Sequence, residues 1–410
     1  MPRRPTPLLK RFQWRLECAL CSVIEAVAGL LPGAWVFYFG EVTAGIVWHV
    51  MPRRRKIVMR NLRIAFADKM EMAEIQRLAK NSFRRTGGNM FSAMHTAKLP
   101  SSKLGEVLEI ENMELMEQAL SKGKGVVLLL AHMGNWELLS RLIHFLPDEA
   151  KIGGLYRPLN NPIMDERLHA RREADGSVMF SKRNSLHQIT KFLHEGGIVG
   201  VLADQRVGGN GRQINFFGRL TRGSPLPSLL ARRTKAEVLA LSMTTERPGK
   251  WKGKFSPVDS PPSTSHCMKS LEEMMREHPE DVFWLQERWR VTLRKGRNIT
   301  DLLEDEHSEK NKHHRALVWL LGIDDSWRMP AVWNHPDVVY EAAVESGRPI
   351  PSWLAECSRV HHVDKEYSCC AEIFRIDQTE ALPIDFVLTG ARSAALTQAC
   401  NQQLIPLYVP

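Results

Sequence analysis

The chain has 410 residues and a formal net charge of +10, a length with room for one large domain and a smaller one. The excess is uneven: the first 63 residues carry 11 Lys/Arg against 3 Asp/Glu, and a basic, aromatic, apolar start points to an anionic membrane surface and away from nucleic acid. The seven Cys are irregularly spaced, and the single C-x2-C (Cys18, Cys21) sits in an apolar helical pattern, which argues for buried thiols in a reducing compartment and against a zinc site.

Residues 16–50 are mostly apolar and are broken at Pro32-Gly33. Glu25, Glu41 and the break rule out one uninterrupted spanning helix, and each half is borderline in length for a span. Trp14, Trp35 and Trp48 are placed like interface anchors. No small-residue cleavage site follows a short apolar core, so a removed signal peptide is not expected. The cluster Arg53-Arg54-Arg55-Lys56 then favours the cytoplasmic leaflet. We expect residues 1–63 to form a membrane-associating arm that either spans or lies on the bilayer; a buried helical hairpin is the alternative. Residues 60–98 read as amphipathic helix interrupted at Gly87-Gly88.

The central stretch is GVVLLLAHMGNWELLSRLIHF, residues 125–145. Its five apolar residues predict an inner strand over 126–130, a turn over 131–135 and a helix from Trp136. Gly134 and Asn135 suit the turn, Asn135 as N-cap. His132 precedes the helix and Glu137 lies in its first turn, so the two can meet at the strand-to-helix corner. A neutral imidazole that takes a proton from a hydroxyl, with a carboxylate on its other nitrogen, suits hydroxyl acylation. The alternative is a polar turn residue beside a helix N-terminal acid.

Residues 108–120 read as a short strand, a polar turn at Glu111-Asn112 and a helix, and residues 152–162 as a strand running into a rigid polar turn. Further strands are expected at 198–203 and 238–243, and helices at 164–174, 185–195 and 225–236. The alternation predicts an α/β fold: a mixed central sheet flanked by helices, with N-terminal membrane-associated helices. His132, Arg157 and Asp204 recur just after strand ends, where open α/β sheets place ligands. Residues 64–296 make this main domain, 297–314 a polar linker and 315–410 a small C-terminal α/β appendage of unknown role. Within the linker and its end, His307, His313 and His314 read as a solvated run and no metal is expected. In the appendage we expect a strand over 316–323, a helix over 336–346 and a strand–loop–helix–strand over 384–410, faintly similar to the nucleotide-sugar half of certain glycosyltransferases. All the motif-bearing pieces precede Arg297, so removal of the appendage is expected to leave activity measurable.

Six pieces occur in order: RRRKIVMRNLRIAF, AHMGNWE, YRPLNNPIMD, LADQR, NFFGR and HPEDVFWLQERWR. Together they resemble the bacterial lipid A biosynthesis acyltransferases of the lauroyl/myristoyl type, within the glycerolipid acyltransferase superfamily. The resemblance implies an enzyme of the bacterial inner membrane, its catalytic domain facing the cytoplasm, that needs no cofactor. It would move a fatty acyl chain from an acyl carrier protein or coenzyme A thioester to a hydroxyl of a lipid A precursor or similar glycolipid. Another lysophospholipid acceptor, or a non-catalytic membrane-attached scaffold, are the alternatives. His132 would be the general base and Glu137 its orienting carboxylate. N–H groups near Gly134 and Asn135 would hold the oxyanion, and Arg157 a phosphate or the donor's phosphopantetheine. Asp204 would bind a substrate hydroxyl or an arginine, with Asn160 and Gln205 as neighbouring substrate contacts. Phe216-Phe217 would line an acyl channel or pack in the core, and Arg206, Arg212, Arg219 and Arg222 would face anionic headgroups or an acidic carrier. The last piece departs from the family's Trp-x-His-Arg-Arg and leaves only Arg288 and Arg290 as candidate phosphate or backbone anchors, which puts the acceptor in question.

Overall fold

The computed structural model describes residues 8–181, 186–207, 211–289, 312–364 and 366–410. The chain folds as two units, each assembled from several segments: Met1–His49, Lys80–Arg212 and Arg222–Phe283 form the first, and Val50–Ala79, Gln213–Thr221 and Trp284–Pro410 the second. The expected arm of residues 1–63 is therefore divided between them.

The first unit is organised around β2 (Val126–Leu130), whose five residues are all buried. Continuous apolar runs of this kind belong to strands covered on both faces. It lies between β5 (Ile198–Leu202) and β8 (Glu237–Arg247), parallel to both. With β1 (Leu108–Glu111), β3 (Ile152–Tyr156), β4 (Val178–Ser181) and β9 (Lys250–Pro257), the sheet runs β1-β9-β8-β2-β5-β3-β4. Only the β8/β9 pair is antiparallel. Helices α5 (Met113–Ser121), α6 (Pro162–Glu173), α7 (Leu186–His194), α8 (Leu226–Thr234) and α9 (Thr264–Glu277) accompany the strands. The fold is thus the expected mixed α/β sheet flanked by helices.

Gly87-Gly88 does not interrupt a helix. It lies inside α4 (Met72–Thr96), where that helix crosses α2 (Gly33–Val50). A Cβ on Gly87 would sit 2.4 Å from the Ala44 Cβ, and one on Gly40 would sit 2.4 Å from the Gly87 carbonyl oxygen. The glycines serve backbone approach, and the cost of glycine in a helix is offset by that packing.

Among the described residues no helix is long and apolar enough to cross a membrane. Helix α1 (Leu8–Leu30) turns Glu17 and Glu25 toward the protein, while Lys10, Arg11 and Arg15 near its start are exposed. Glu25 accepts from Arg171 at 2.6 Å and Arg167 at 3.0 Å, and Glu17 from Asn161 at 2.9 Å. Its other face exposes Phe12, Leu16, Leu20, Val23 and Val27, and α2 likewise exposes Trp35, Tyr38, Phe39, Val42 and Ile46.

The second unit contains a five-stranded sheet, parallel throughout, in the order β12-β11-β10-β13-β14. Its strands are β10 (His314–Trp319), β11 (Val338–Glu345), β12 (Arg359–Val363), β13 (Ile384–Thr389) and β14 (Leu407–Tyr408). Helices α10 (Cys369–Asp377) and α11 (Ala394–Gln403) contribute to the core on one face. The strand–loop–helix–strand expected at the end is present. The helix expected over 336–346 is instead strand β11. A short apolar segment buried on both faces has no period that separates helix from strand, and here the β-branched valines decide it.

Buried charge ties α3 (Pro52–Phe66) and the β6/β7 hairpin (Arg212–Phe216, Arg219–Gly223) to this sheet. Asp385, fully buried, receives Arg60 at 2.6 Å, Arg219 at 3.0 Å and His314 at 3.2 Å. Arg63 pairs with Asp377 and donates to the carbonyls of Ala381 and Glu380 at 2.8 and 2.9 Å. Glu341 sits between Arg315 and His361, at 2.7 Å from each. Two expectations fail here. Arg219 is completely buried and faces no headgroup, and His314 is a buried partner of Asp385; His307 lies outside the described residues. The tail also holds the carboxylates that neutralise Arg60, Arg63 and Arg219, so it is a structural part of this unit.

Burial by itself would raise the Asp385 carboxyl, but Arg219, His314 and Arg60 outweigh it and hold it far below the ordinary range. Glu341 is likewise opposed by burial but held down to about 2 by His361 and Arg315. Both folded-state values are depressed, so their stabilisation is complete above the unfolded carboxylate range and is lost as pH falls toward the folded values. We expect denaturation midpoints of the full chain to fall steadily from about pH 5 downward. Asp385→Asn should cost about 3–5 kcal/mol, because it strands buried guanidinium groups. A chain ending at Arg297 should lose the fold of this unit. Unchanged denaturant midpoints for Asp385→Asn would refute the hub.

Candidate functional site

The site grows from the carboxyl end of β2. The strand's register with β5 pairs Leu130 with Leu202. Two residues beyond each lie His132 and Asp204, so the same parallel register sets the two side chains beside one another. The Asp204 Oδ1 is 2.6 Å from His132 Nδ1, and the carboxylate is buried. The Gln205 Nε2 lies 3.2 Å from His132 Nε2. Trp136 meets the imidazole edge-on at 5.5 Å, and Phe283 is tilted against it at 6.4 Å.

The turn after β2 is clamped from behind by residues 281–283. The Phe283 N–H donates to the His132 carbonyl at 2.8 Å, Met133 bridges to Val282, and the Gly134 N–H donates to the Asp281 carbonyl at 2.9 Å. Gly134 has φ +56°, and a Cβ there would lie 2.4 Å from the Met243 carbonyl oxygen, so only glycine fits. Asp281 is itself fixed by Thr245, whose backbone N–H reaches it at 3.1 Å. Burial raises its carboxyl, against the pull of Thr245 and Arg85. Residues of the HPEDVFW piece thus supply this clamp, a placement the sequence reading did not assign to them.

Several expected roles change. Glu137 is the second residue of a 3-10 helix over Trp136–Phe145. Its two oxygens are taken by the fork of Arg172 on α6, at 3.0 and 2.6 Å. The carboxylate on the imidazole is Asp204, so Glu137 does not orient His132 in this geometry. The Gly134 N–H is spent on Asp281 and is not an oxyanion donor. Asn135 does not cap the helix: its side chain is buried and donates to Thr96 Oγ1 at 3.1 Å. Arg157 and Asn160, after β3, are exposed, and neither side chain has a hydrogen-bonded partner among the described residues. Arg288 belongs to the second unit and is buried there, its guanidinium 5.1 Å above the Trp284 ring. So placed, it is not an anchor open to a lipid phosphate. Arg290 lies outside the described residues. Phe216 and Phe217 pack with Trp289, and Phe217 also with Phe66 and Trp284, as core rather than channel wall.

Arg172 is the residue the sequence reading missed. It appeared only as one cation on a charged helix, and nothing local marks it as the partner of a residue thirty-five positions earlier. Glu137 and Arg172 share a cavity of about 80 Å³ with Leu128, Leu130, Gly154 and Gly200. The glycines on β3 and β5 open this slot: a Cβ on Gly154 would press the Met179 methyl at 3.2 Å, and one on Gly200 the Leu130 side chain at 3.2 Å. The arrangement therefore combines an imidazole braced by a buried carboxylate with a narrow, largely apolar slot bordered by an ion pair.

Residues 13–291 match the family described as bacterial lipid A biosynthesis acyltransferase. A lipid A biosynthesis palmitoleoyltransferase of Escherichia coli (strain K12) is 22% identical over 276 residues, 64% of this chain and 87% of the relative. A lipid A biosynthesis lauroyltransferase of the same organism is 24% identical over 302 residues, 71% of this chain and 96% of the relative. A phosphatidylinositol mannoside acyltransferase of Mycobacterium tuberculosis (strain ATCC 25618 / H37Rv) is 24% identical over 202 residues, 46% of this chain and 62% of the relative. The chain belongs to the bacterial lipid A biosynthesis acyltransferase family and is an acyltransferase.

Proposed function

We propose that the chain transfers a fatty acyl group from an acyl carrier protein or coenzyme A thioester to a hydroxyl of a lipid A precursor or a similar phosphorylated glycolipid. The observation that carries this reading is the His132–Asp204 contact of 2.6 Å at the end of β2. With Nδ1–H donating to Asp204, the neutral imidazole carries its lone pair on Nε2, where the Gln205 amide sits at 3.2 Å until an acceptor hydroxyl replaces it. There it takes the acceptor's hydroxyl proton as the oxygen attacks the thioester carbonyl carbon. The carbon–sulfur bond then breaks, and the imidazolium returns the proton to the leaving thiolate. The Asp204 charge stabilises that imidazolium. The N–H groups of Trp136 and Glu137 open a helix and have no intrahelical acceptor, so they and the Gln205 amide are our candidates for the oxyanion. The Glu137–Arg172 pair fixes the wall of the slot that receives the start of the acyl chain. Exposed Arg157 suits a phosphate of the acceptor or of the donor arm, where a guanidinium fork binds bidentately.

We also propose attachment to the cytoplasmic face of the bacterial inner membrane. An outward apolar stripe on α1 and α2, with Glu17 and Glu25 turned to the protein and Lys10, Arg11 and Arg15 exposed at the start of α1, suits helices lying in the interface plane. The Arg53–Lys56 run adds attraction to anionic lipid. The relative named as a phosphatidylinositol mannoside acyltransferase leaves a second acceptor class, another phosphorylated glycolipid, as the nearest alternative.

Transfer of a labelled acyl chain to lipid acceptors tests the chemistry. His132→Ala should lower it at least about 10²-fold, the size of a lost general base. Asp204→Asn should lower kcat by about as much or more, with folding intact by circular dichroism. Glu137→Gln should cost less and act on donor KM. A wild-type rate for His132→Ala would sink the mechanism, and a Glu137→Gln loss exceeding that of Asp204→Asn would return Glu137 to the imidazole.

Membrane attachment is tested by Leu20→Glu combined with Val23→Glu, two exposed positions one turn apart on α1. The double variant should move from the membrane fraction to the supernatant after a salt wash. Retention equal to wild type would rule out this face as the anchor.

A further inference from the structure

The second unit holds a cavity of about 870 Å³ that plays no part in the acyl transfer proposed above, although Arg53 and Lys56 on its rim belong to the basic run assigned to anionic lipid. That size lies within the range of about 300–1,000 Å³ typical of small-molecule sites. Its walls come from α3, from residues 287–289 and from α11 with the chain that follows it to β14. None of these residues belongs to the sheet that carries His132.

The charges on the walls are unequal. Arg53, Lys56 and Arg60 line the cavity together with Glu287 and Asp385. Asp385 is fully buried, already neutralised by Arg60 and Arg219, and hydrogen-bonded to His314. Lys56 spends one bond on the Gln402 carbonyl, at 2.7 Å, and keeps two donors. Arg53 is exposed and has no ion-paired or hydrogen-bonded partner among the described residues. Helix α3 opens with Pro52 after Met51, with no side-chain cap and no acid in its first turn. Arg53 to Lys56 thus crowd cations onto the positive end of a helix dipole, an arrangement that costs stability and that an anion would relieve. Beside this rim the walls turn apolar and aromatic, at Ile57, Trp289, Leu404, Pro406 and Tyr408.

We propose that this cavity binds a phosphate-bearing ligand, its anion held by Arg53 and Lys56 and its organic part against Ile57, Trp289, Pro406 and Tyr408. A cation is excluded by the charge of the rim, and a purely apolar ligand would leave Arg53 and the start of α3 unrelieved. The same chemistry occurs in a soluble phosphate ester and in a lipid phosphate headgroup. The site does not depend on the acyl-transfer reading, because binding is measured without turnover.

The test uses the full-length protein in detergent. One arm titrates inorganic pyrophosphate and glycerol 3-phosphate against the thermal-unfolding midpoint. The other measures the gain in flotation on phosphatidylcholine vesicles when phosphatidic acid is added. Two variants are compared with wild type: Arg53→Ala with Lys56→Ala, which removes the cations, and Asn401→Trp, which fills the cavity from an exposed wall position. A saturable midpoint rise, weakened about tenfold or more in both variants, assigns a soluble phosphate ester. A phosphatidic acid gain lost in both variants, with no midpoint rise, assigns a lipid headgroup. No response from wild-type protein in either arm overturns the proposal, as does a response that survives Asn401→Trp, since that would be surface charge alone. Far-UV circular dichroism qualifies each variant. If the double variant or the filler fails to fold, Arg53→Ala alone carries the test, and an unweakened response from it is the negative result.

Discussion

The candidate site of this protein depends on the parallel pairing of β2 with β5. Leu130 opposes Leu202, and the two chains leave the sheet together. A histidine and a carboxylate placed two residues beyond the paired positions then arrive within hydrogen-bonding distance of each other. Parallel strands are evenly spaced and their side-chain period is two, so a one-residue slip would send His132 and Asp204 to opposite faces. The remaining features preserve that register. Apolar side chains fill both faces of β2, Gly134 allows the sharp exit, and the backbone of residues 281–283 holds the turn in place.

The first unit joins a conventional core to an apolar outer surface. Helix α1 turns Glu17 and Glu25 inward, and α1 and α2 expose apolar side chains outward. In water such a surface would carry a cost in exposed apolar area. At a lipid interface it becomes the favourable side, and the inward Glu25–Arg167–Arg171 cluster is what fixes the rotation of α1 about its axis. The ion cluster contributes orientation more than net stability, as expected of partly buried pairs.

The second unit shows the opposite use of charge. Asp385, Asp377 and Glu341 lie inside it and join segments far apart in sequence. A buried carboxylate is tolerable only when its cations are present, so the segments are mutually dependent: α3 and β7 supply arginines that the region after Arg315 must neutralise. This interdependence explains how a tail outside the family match is nevertheless part of the same folded unit as two motif-bearing pieces, RRRKIVMRNLRIAF and NFFGR.

Much of this was legible in the residues themselves. VVLLL could only be an inner strand, the Gly134 corner followed from turn chemistry, and the ordered motifs carried the family. What local pattern determines is set by the chain's nearest neighbours: periodicity, caps and turns. It failed where two solutions share one pattern, as for β11, and where glycines that look like breakers serve a helix crossing. It also failed for partners. His132 and Glu137 are close in sequence and seemed a pair, yet the tertiary fold gives Asp204 to His132 and Arg172 to Glu137. Strand order and helix placement decide such pairings, because they depend on which elements become neighbours across the sheet, and no spacing along the chain encodes that.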